Sequence, residues 1–372
     1  NTGSEDSVRN LAAQFKIAHV DGQTNRAASP FAILDTVYGG LAKISTFGNV
    51  TSFQPLDIKW STKNRNAIGN VAQGEMPCTC FNQGDSITRS SINLMGDLQT
   101  GFDEYNKSII LHELGHYIMH TLSKGANYGS THTYSFSHDI AMSYDEGIAS
   151  TLAIMLLETP RLKMSIPSGN VPGGATSYYF DNRPDVEWNG WPVTQLGSFN
   201  ELSVIKVLYS YYSSNTNKVR NDLAQFLKII FSQAYVKSGD IPTIYSFHNT
   251  VSNLFPTHKS MMDEIFKSQS IFGRGAHGSG ETNAHGESYL LPHYVNIYLD
   301  SAPVNVCATN KFHTGSGNAF GLRRKLIIEI PKTSNLPSTG IIRTYRVKAT
   351  KTSPLSTKVQ NAITSYYSDE YR

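Results

Sequence analysis

Residues 112–116 read His-Glu-Leu-Gly-His. Positions i and i+4 of a helix lie on one face, about a turn apart. His112 and His116 can therefore offer two imidazoles to one tetrahedral ion, and zinc is the expected one. Glu113 stands beside them and can take a proton from a metal-activated water. Burying two neutral histidines and a carboxylate in an apolar helix without a partner is costly, and a bound cation offsets that cost. The chemistry suggested is metal-assisted hydrolysis.

A catalytic zinc takes a third protein ligand and keeps a fourth position open. A histidine six residues after His116 would complete one extended signature, but that position holds Leu122. His120 shares the helix face but lies about 6 Å further along the axis, too far to reach the same ion. Glu146 is the expected third ligand, and Asp145 is the alternative. Glu146 stands in Asp-Glu-Gly-Ile-Ala-Ser, where Gly147, Ala149 and Ser150 are small enough for two helices to approach closely. Donors to a developing oxyanion are sought among Tyr209, Tyr211, Tyr212 and His138. Glu281 and His285, in a loop reading GETNAH, are further candidates to approach the cleft; a plain linker explains that loop equally well.

The elements that must position these groups follow from periodicity. A helix is expected from about 104 to 122, capped by Asp103, and a second from about 140 to 158. Amphipathic helices are expected over 4–19 and 29–46, the latter with Ser29 as cap and Pro30 in the first turn. Residues 56–60 and 91–95 alternate as strands; the second is expected to line the cleft and pair with an extended peptide. The Gly-, Pro- and aromatic-rich stretch 160–198 reads as a long loop. Four helical patterns follow near 200–213, 219–236, 241–254 and 257–268, with Asp240 and Thr257 as caps for the last two. The composition then breaks to GRGAHGSGETNAHGES over 273–288, and the segments beyond alternate as strands.

His112-Glu113-x-x-His116 followed by Glu146-x-x-Ala149-Ser150 resembles the gluzincin branch of the zincin metallopeptidases. More narrowly, SPFAILDTVYGGL, HELGHYIMH, YDEGIAS and GSGETNAHG resemble stretches of a family of secreted bacterial HExxH proteins. The resemblance covers most of residues 25–330, and only the metal motif is mechanistically specific. It implies a thermolysin-like core, with two histidines and a downstream glutamate on zinc. One position departs from that pattern. An aspartate normally supports a zinc-bound histidine four residues beyond the glutamate, and Ser150 stands there, with Thr151 next. A hydroxyl orients a ligand less strongly than a carboxylate; Asp139 and Asp145 are the substitutes in reach.

The 372 residues are 39% hydrophobic and 16% charged, enough apolar material for a core and too little charge for a disordered chain. No apolar run is long enough to suggest a membrane span. The chain opens at Asn1, which reads as the start of a processed or excised chain. Residues 311–372 hold eleven of the 32 Lys/Arg but three of the 29 Asp/Glu. Such a basic tail suits docking on an acidic surface, and a solvated β-surface gives the same excess. No nucleic-acid motif is present. Cys78 and Cys80 are spaced poorly for a mutual bridge, which leaves a pairing with Cys307 or three free thiols.

The expectation is therefore an α+β fold. A zincin-like metallopeptidase domain spans 1–272, with a sheet part to about 102 and a helical part from 103. A linker or loop follows at 273–288, and a small antiparallel β-domain at 289–372. The expected activity is zinc-dependent hydrolysis of peptide bonds in a protein or peptide, in a secreted, extracellular or periplasmic setting. Two other readings stand beside it: a non-proteolytic zinc-binding surface protein on a peptidase scaffold, and a zinc amidase acting on cell-wall or glycoprotein substrates.

Overall fold

A computed structural model describes residues 16–20, 23–25, 28–65, 78–85, 87–97, 101–126, 132, 137–159, 161–165, 175–179, 187–188, 191–192, 195–213, 219–298, 304–312 and 318–329. These residues combine helices with several small sheets, an α+β composition.

The hairpin strands β1 (Lys16–Val20) and β2 (Gln23–Asn25) precede the first described helix. The helix expected over 4–19 thus gives way to a strand at its end, and its first residues lie outside the described ones. Helix α1 (Ser29–Gly48) covers the expected span and two residues more, but Ala28, not Ser29, is the cap, without a side-chain bond, and Ser29 opens the first turn with Pro30. Ile33, Val37, Gly40 and Ile44 form its buried face. Asn49 ends it in the left-handed conformation, φ 53°, and its amide donates to the Ser45 carbonyl.

Strands β3 (Leu56–Trp60), β4 (Cys80–Asn82) and β5 (Ser90–Leu94) form one sheet in the order β3-β5-β4. β5 runs parallel to β3 and antiparallel to β4. The strand expected to receive a peptide is therefore the middle one, and its backbone is occupied on both sides. β4 is the edge. Ile92 and Leu94 of β5 are fully buried, which places this sheet against the helical core. A short pair, β6 (Gly96–Asp97) and β7 (Gly101–Phe102), leads on.

Helix α2 (Lys107–Leu122) starts later than expected. Its cap is Asn106, whose side chain accepts from the Ile109 amide. Asp103 instead accepts a 2.5 Å hydrogen bond from the Thr79 hydroxyl. Helix α3 (Ile140–Leu157) is capped by Asp139 through the Ala141 amide. It is long and apolar enough to cross a membrane, yet 94% of it is buried inside the protein. It is the central helix of the core, apolar on nearly every side because it is packed on every side.

The stretch expected as a loop after α3 holds four strands, β8 (Arg161–Ser165), β9 (Ala175–Tyr179), β10 (Glu187–Trp188) and β11 (Trp191–Pro192). They form an antiparallel meander. Helices α4 (Glu201–Ser213), α5 (Val219–Ile230), α6 (Gln233–Val236), α7 (Ile244–Leu254) and α8 (Lys259–Ser268) complete the helical part. Thr243, not Asp240, caps α7, in a reciprocal box with Ser246. α8 starts after His258 with no side-chain cap, so Thr257 does not serve there.

Residues 273–288 are packed and structured. The Glu281 carboxylate gathers the backbone amides of Phe272, Gly273, Thr282 and Asn283 and accepts from the Tyr245 hydroxyl at 2.7 Å. Beyond them, β12 (Tyr294–Tyr298) pairs with β13 (Lys325–Glu329), and Leu290, Tyr294 and Phe320 join the main core. The first compact unit runs to Ile328, past the boundary expected at 273–288. Of the second unit, Glu329–Arg372, only Glu329 is described; the strand expected near 341–349 lies outside the described residues. Cys78 and Cys80 form a disulfide, Cα–Cα 5.6 Å apart, and Cys307 is a free, exposed thiol. The close spacing of the first two is thus bridged after all.

Candidate metal centre

The centre lies where α2 and α3 approach each other most closely. A side-chain carbon on Gly115 would lie 2.8 Å from the Ala149 Cα and 2.9 Å from its carbonyl oxygen. Only the absence of a Cβ lets the two backbones meet there. Gly147 does the same toward α4, where a Cβ would lie 2.6 Å from Val204 Cγ1. The small residues of the Asp-Glu-Gly-Ile-Ala-Ser stretch thus bring α3 against α2 on one side and α4 on the other.

This contact brings together the three expected ligands. His112 Nε2 lies 3.1 Å from Glu146 Oε2, His116 Nε2 lies 3.2 Å from the same oxygen, and the two Nε2 atoms are 3.2 Å apart. His112 and Glu146 are buried and His116 is nearly so. Four ligands around a zinc ion with bonds of about 2.0–2.1 Å are separated by about 3.3 Å. The three atoms stand at that spacing, and together they can hold a metal ion.

The surrounding groups orient them. His112 Nδ1 lies 2.9 Å from Ser150 Oγ. A hydroxyl there can accept from Nδ1–H, the tautomer that leaves Nε2 free to bind a metal. The position that departs from the aspartate pattern thus still supports the histidine, through a hydroxyl. Asp145 is not a ligand. Its Oδ2 lies 3.9 Å from His116 Nδ1, and its Oδ1 accepts from the Ala126 amide. Asp139 is engaged elsewhere, in a buried ion pair with Lys325 at 2.8 Å.

Glu113 is buried beside the ligands. Burial pushes its pKa up, the neighbouring His112 and His116 pull against that, and the Phe81 amide of β4 donates to its carboxylate. A carboxyl held above its ordinary range is better matched to accept and return a proton near neutral pH. The edge strand β4 therefore faces Glu113. Phe81 also packs edge-on against Tyr117, with ring centroids 6.3 Å apart, and lies beside His120. The electrostatics favour positive charge: burial lowers the His116 pKa, but Glu146, Asp145 and Glu113 outweigh it and lift it to about 10.

The oxyanion candidates separate. Tyr211 is buried and bonded to His258 and Gln225, and Tyr212 is buried against Tyr209. Their spacing reflects helix packing. Glu281 organises its own loop, and His285 packs between Phe199 and Phe312. His138 is closer to the centre, its ring 6.2 Å from that of His132.

His132 itself escapes sequence reasoning, as does Glu201. His132 Nε2 lies 3.3 Å from Glu146 Oε2, and its Nδ1 lies 3.2 Å from Glu201 Oε2 at the start of α4. One histidine in a polar loop, with no spacing partner, carries no pattern that points to a site. Among known proteins, no family model, curated sequence or solved structure matches the chain.

Proposed function

We propose that this chain is a zinc-dependent metallopeptidase of the gluzincin type, with zinc on His112, His116 and Glu146 and Glu113 as general base. The observation that carries this reading is the convergence of three buried donor atoms at separations of 3.1–3.2 Å, with Glu113 beside them. The donor set of two imidazoles and one carboxylate fits zinc. A divalent ion bound there supplies Lewis acidity toward a carbonyl oxygen and acidifies water.

The chain's own residues supply the rest. Ser150 holds the His112 ring from its Nδ1 side. Glu113 takes the proton of the attacking water and returns it to the departing amine. Among the described residues no strand pairs with the outer side of β4; an extended chain can pair with such an edge, and this one adjoins the base, which supports a peptide as substrate. The zincin fold and a secreted setting belong to the same proposal.

The test is hydrolysis of casein-derived peptides, read by mass spectrometry. Cleavage should stop with a chelator and return with zinc. Cleavage that persists undiminished in a chelator-treated, metal-free sample would reject the reading.

A further inference from the structure

Glu146 belongs to two groups of metal-type donors. One is His112, His116 and Glu146; the other is His132, Glu146 and Glu201, and within each group the ligand atoms all lie within 4.8 Å of one another. We propose that His132, Glu146 and Glu201 hold a second divalent cation, zinc or manganese, with Glu146 shared between the two ions. The proposal rests on the first ion lying at His112, His116 and Glu146.

Glu201 is the independent sign. Its side chain is wholly buried, and its Oε1 has no hydrogen-bond partner. A buried acceptor left unpaired costs about 1–3 kcal/mol, and more when it is charged. The N-terminus of α4 offsets part of that charge without directing a donor at Oε1. His132 turns Nε2 to Glu146 and Nδ1 to Glu201, so the space between the two carboxylates already has an imidazole at its border.

The charge balance points the same way. Glu113, Asp145, Glu146 and Glu201 are all buried. Glu146 and Glu201 both face His132; buried carboxylates persist only when paired or bound to metal, and a divalent ion between them pairs both.

The donors also select the ion. One imidazole with two carboxylates suits zinc or manganese, whereas calcium takes oxygen ligands alone. The His132 side chain is 27% exposed, which leaves an approach for the ion and open positions for water. Carboxylate-bridged pairs in two-metal hydrolases sit about 3.5–4 Å apart, and the shared Glu146 oxygen allows that spacing.

The experiment uses the full chain, stripped with chelator, loaded with Zn2+ alone and desalted. Zinc per chain is measured by mass spectrometry, and crystals are examined by anomalous diffraction at the zinc edge. Two zinc ions per chain are expected, with two peaks about 3.5–4 Å apart around Glu146. His132→Ala and Glu201→Gln should each fall to one ion, retained at His112 and His116. His132→Ala alters a part-exposed loop side chain, so it reports on the site even if Glu201→Gln fails to fold. One zinc in the wild type, at His112/His116/Glu146, overturns the second site and leaves the first standing. No zinc overturns both. A second peak away from Glu201, or two ions kept by both variants, also overturns it.

Discussion

At the scale of single residues, Glu113 and Ser150 are separable by what they touch. Glu113→Gln keeps the volume and removes the base. The expected result is a loss in kcat of at least about a hundredfold, with zinc content unchanged; peptide turnover at the wild-type rate would remove Glu113 from the mechanism. Ser150→Ala removes the partner of His112 Nδ1 and leaves every ligand in place. It should weaken zinc binding by about tenfold, the lower end for loss of an orienting partner, as read by competition with a chromogenic chelator. Equal affinity would mean that packing alone orients the ring.

Protons compete with metal at the same centre. Burial lowers the His116 pKa, the facing carboxylates more than reverse it, and it stands at about 10. A ligand must be unprotonated to bind. Because the pKa is raised, His116 carries a proton through the whole range below about 10, and metal must displace it. Apparent zinc affinity should therefore fall steadily as pH drops from 9 to 6, with protons released on binding. Calorimetry in buffers of different ionisation enthalpy measures that release, and none at pH 7 would contradict the assignment.

At the scale of elements, the centre depends on how closely α2 and α3 meet. Gly115→Ala places a methyl 2.8 Å from the Ala149 backbone, which cannot move aside as a side chain would. A cost of about 1–3 kcal/mol is expected. Zinc affinity should fall with it, because separating the helices draws Glu146 away from His112. Gly39→Ala in α1 meets nothing within 4 Å and should be neutral or stabilising by up to about 1 kcal/mol. Thermal melts of the two variants beside zinc titrations check the contrast; equal behaviour would show that the helix contact does not set the site. These same helices were the parts of the chain most legible from sequence. The three proposed ligands sit on two helices with clear periodicity, and the i, i+4 spacing of the histidines puts two of them on one face. β3 follows from strict alternation, and its burial alternates with it. What sequence hides has physical reasons. β4 is three residues long, too short to show a period. β8 to β11 lie within a Gly- and Pro-rich stretch whose composition reads as loop, and two of them are only two residues long. Asn106 and Asp103 are both good caps, and in the fold Asp103 is engaged by the tertiary bond from Thr79. Glu201 comes near Glu146 through the packing of α4 on α3, and His132 reaches both from the segment between α2 and α3.

At the scale of the whole molecule, one ion pair links the late strand to the helix that bears Glu146. Lys325 on β13 meets both carboxylate oxygens of Asp139 at 2.8 and 2.9 Å, across 186 positions of sequence, with both side chains buried. Asp139 also caps α3, through the Ala141 amide. The backbone reinforces the join: the Asp139 amide donates to the Asn318 carbonyl, and Phe320 to that of Ser137. Residues near 320 therefore hold down the start of α3, seven positions before Glu146. Removing Lys325 alone strands a buried carboxylate, so Lys325→Met should cost about 3–5 kcal/mol. Pairing it with Asp139→Asn should recover much of that loss, because the amide still offers an oxygen to cap α3 and no unpaired charge remains. Urea unfolding of the two single variants and the double variant forms the cycle. A strictly additive cycle would mean that the pair contributes only as two separate side chains. A strong coupling would make this contact the reason that residues beyond 318 fold with the helices, and it would require any shortened chain that keeps the metal centre to extend through Lys325.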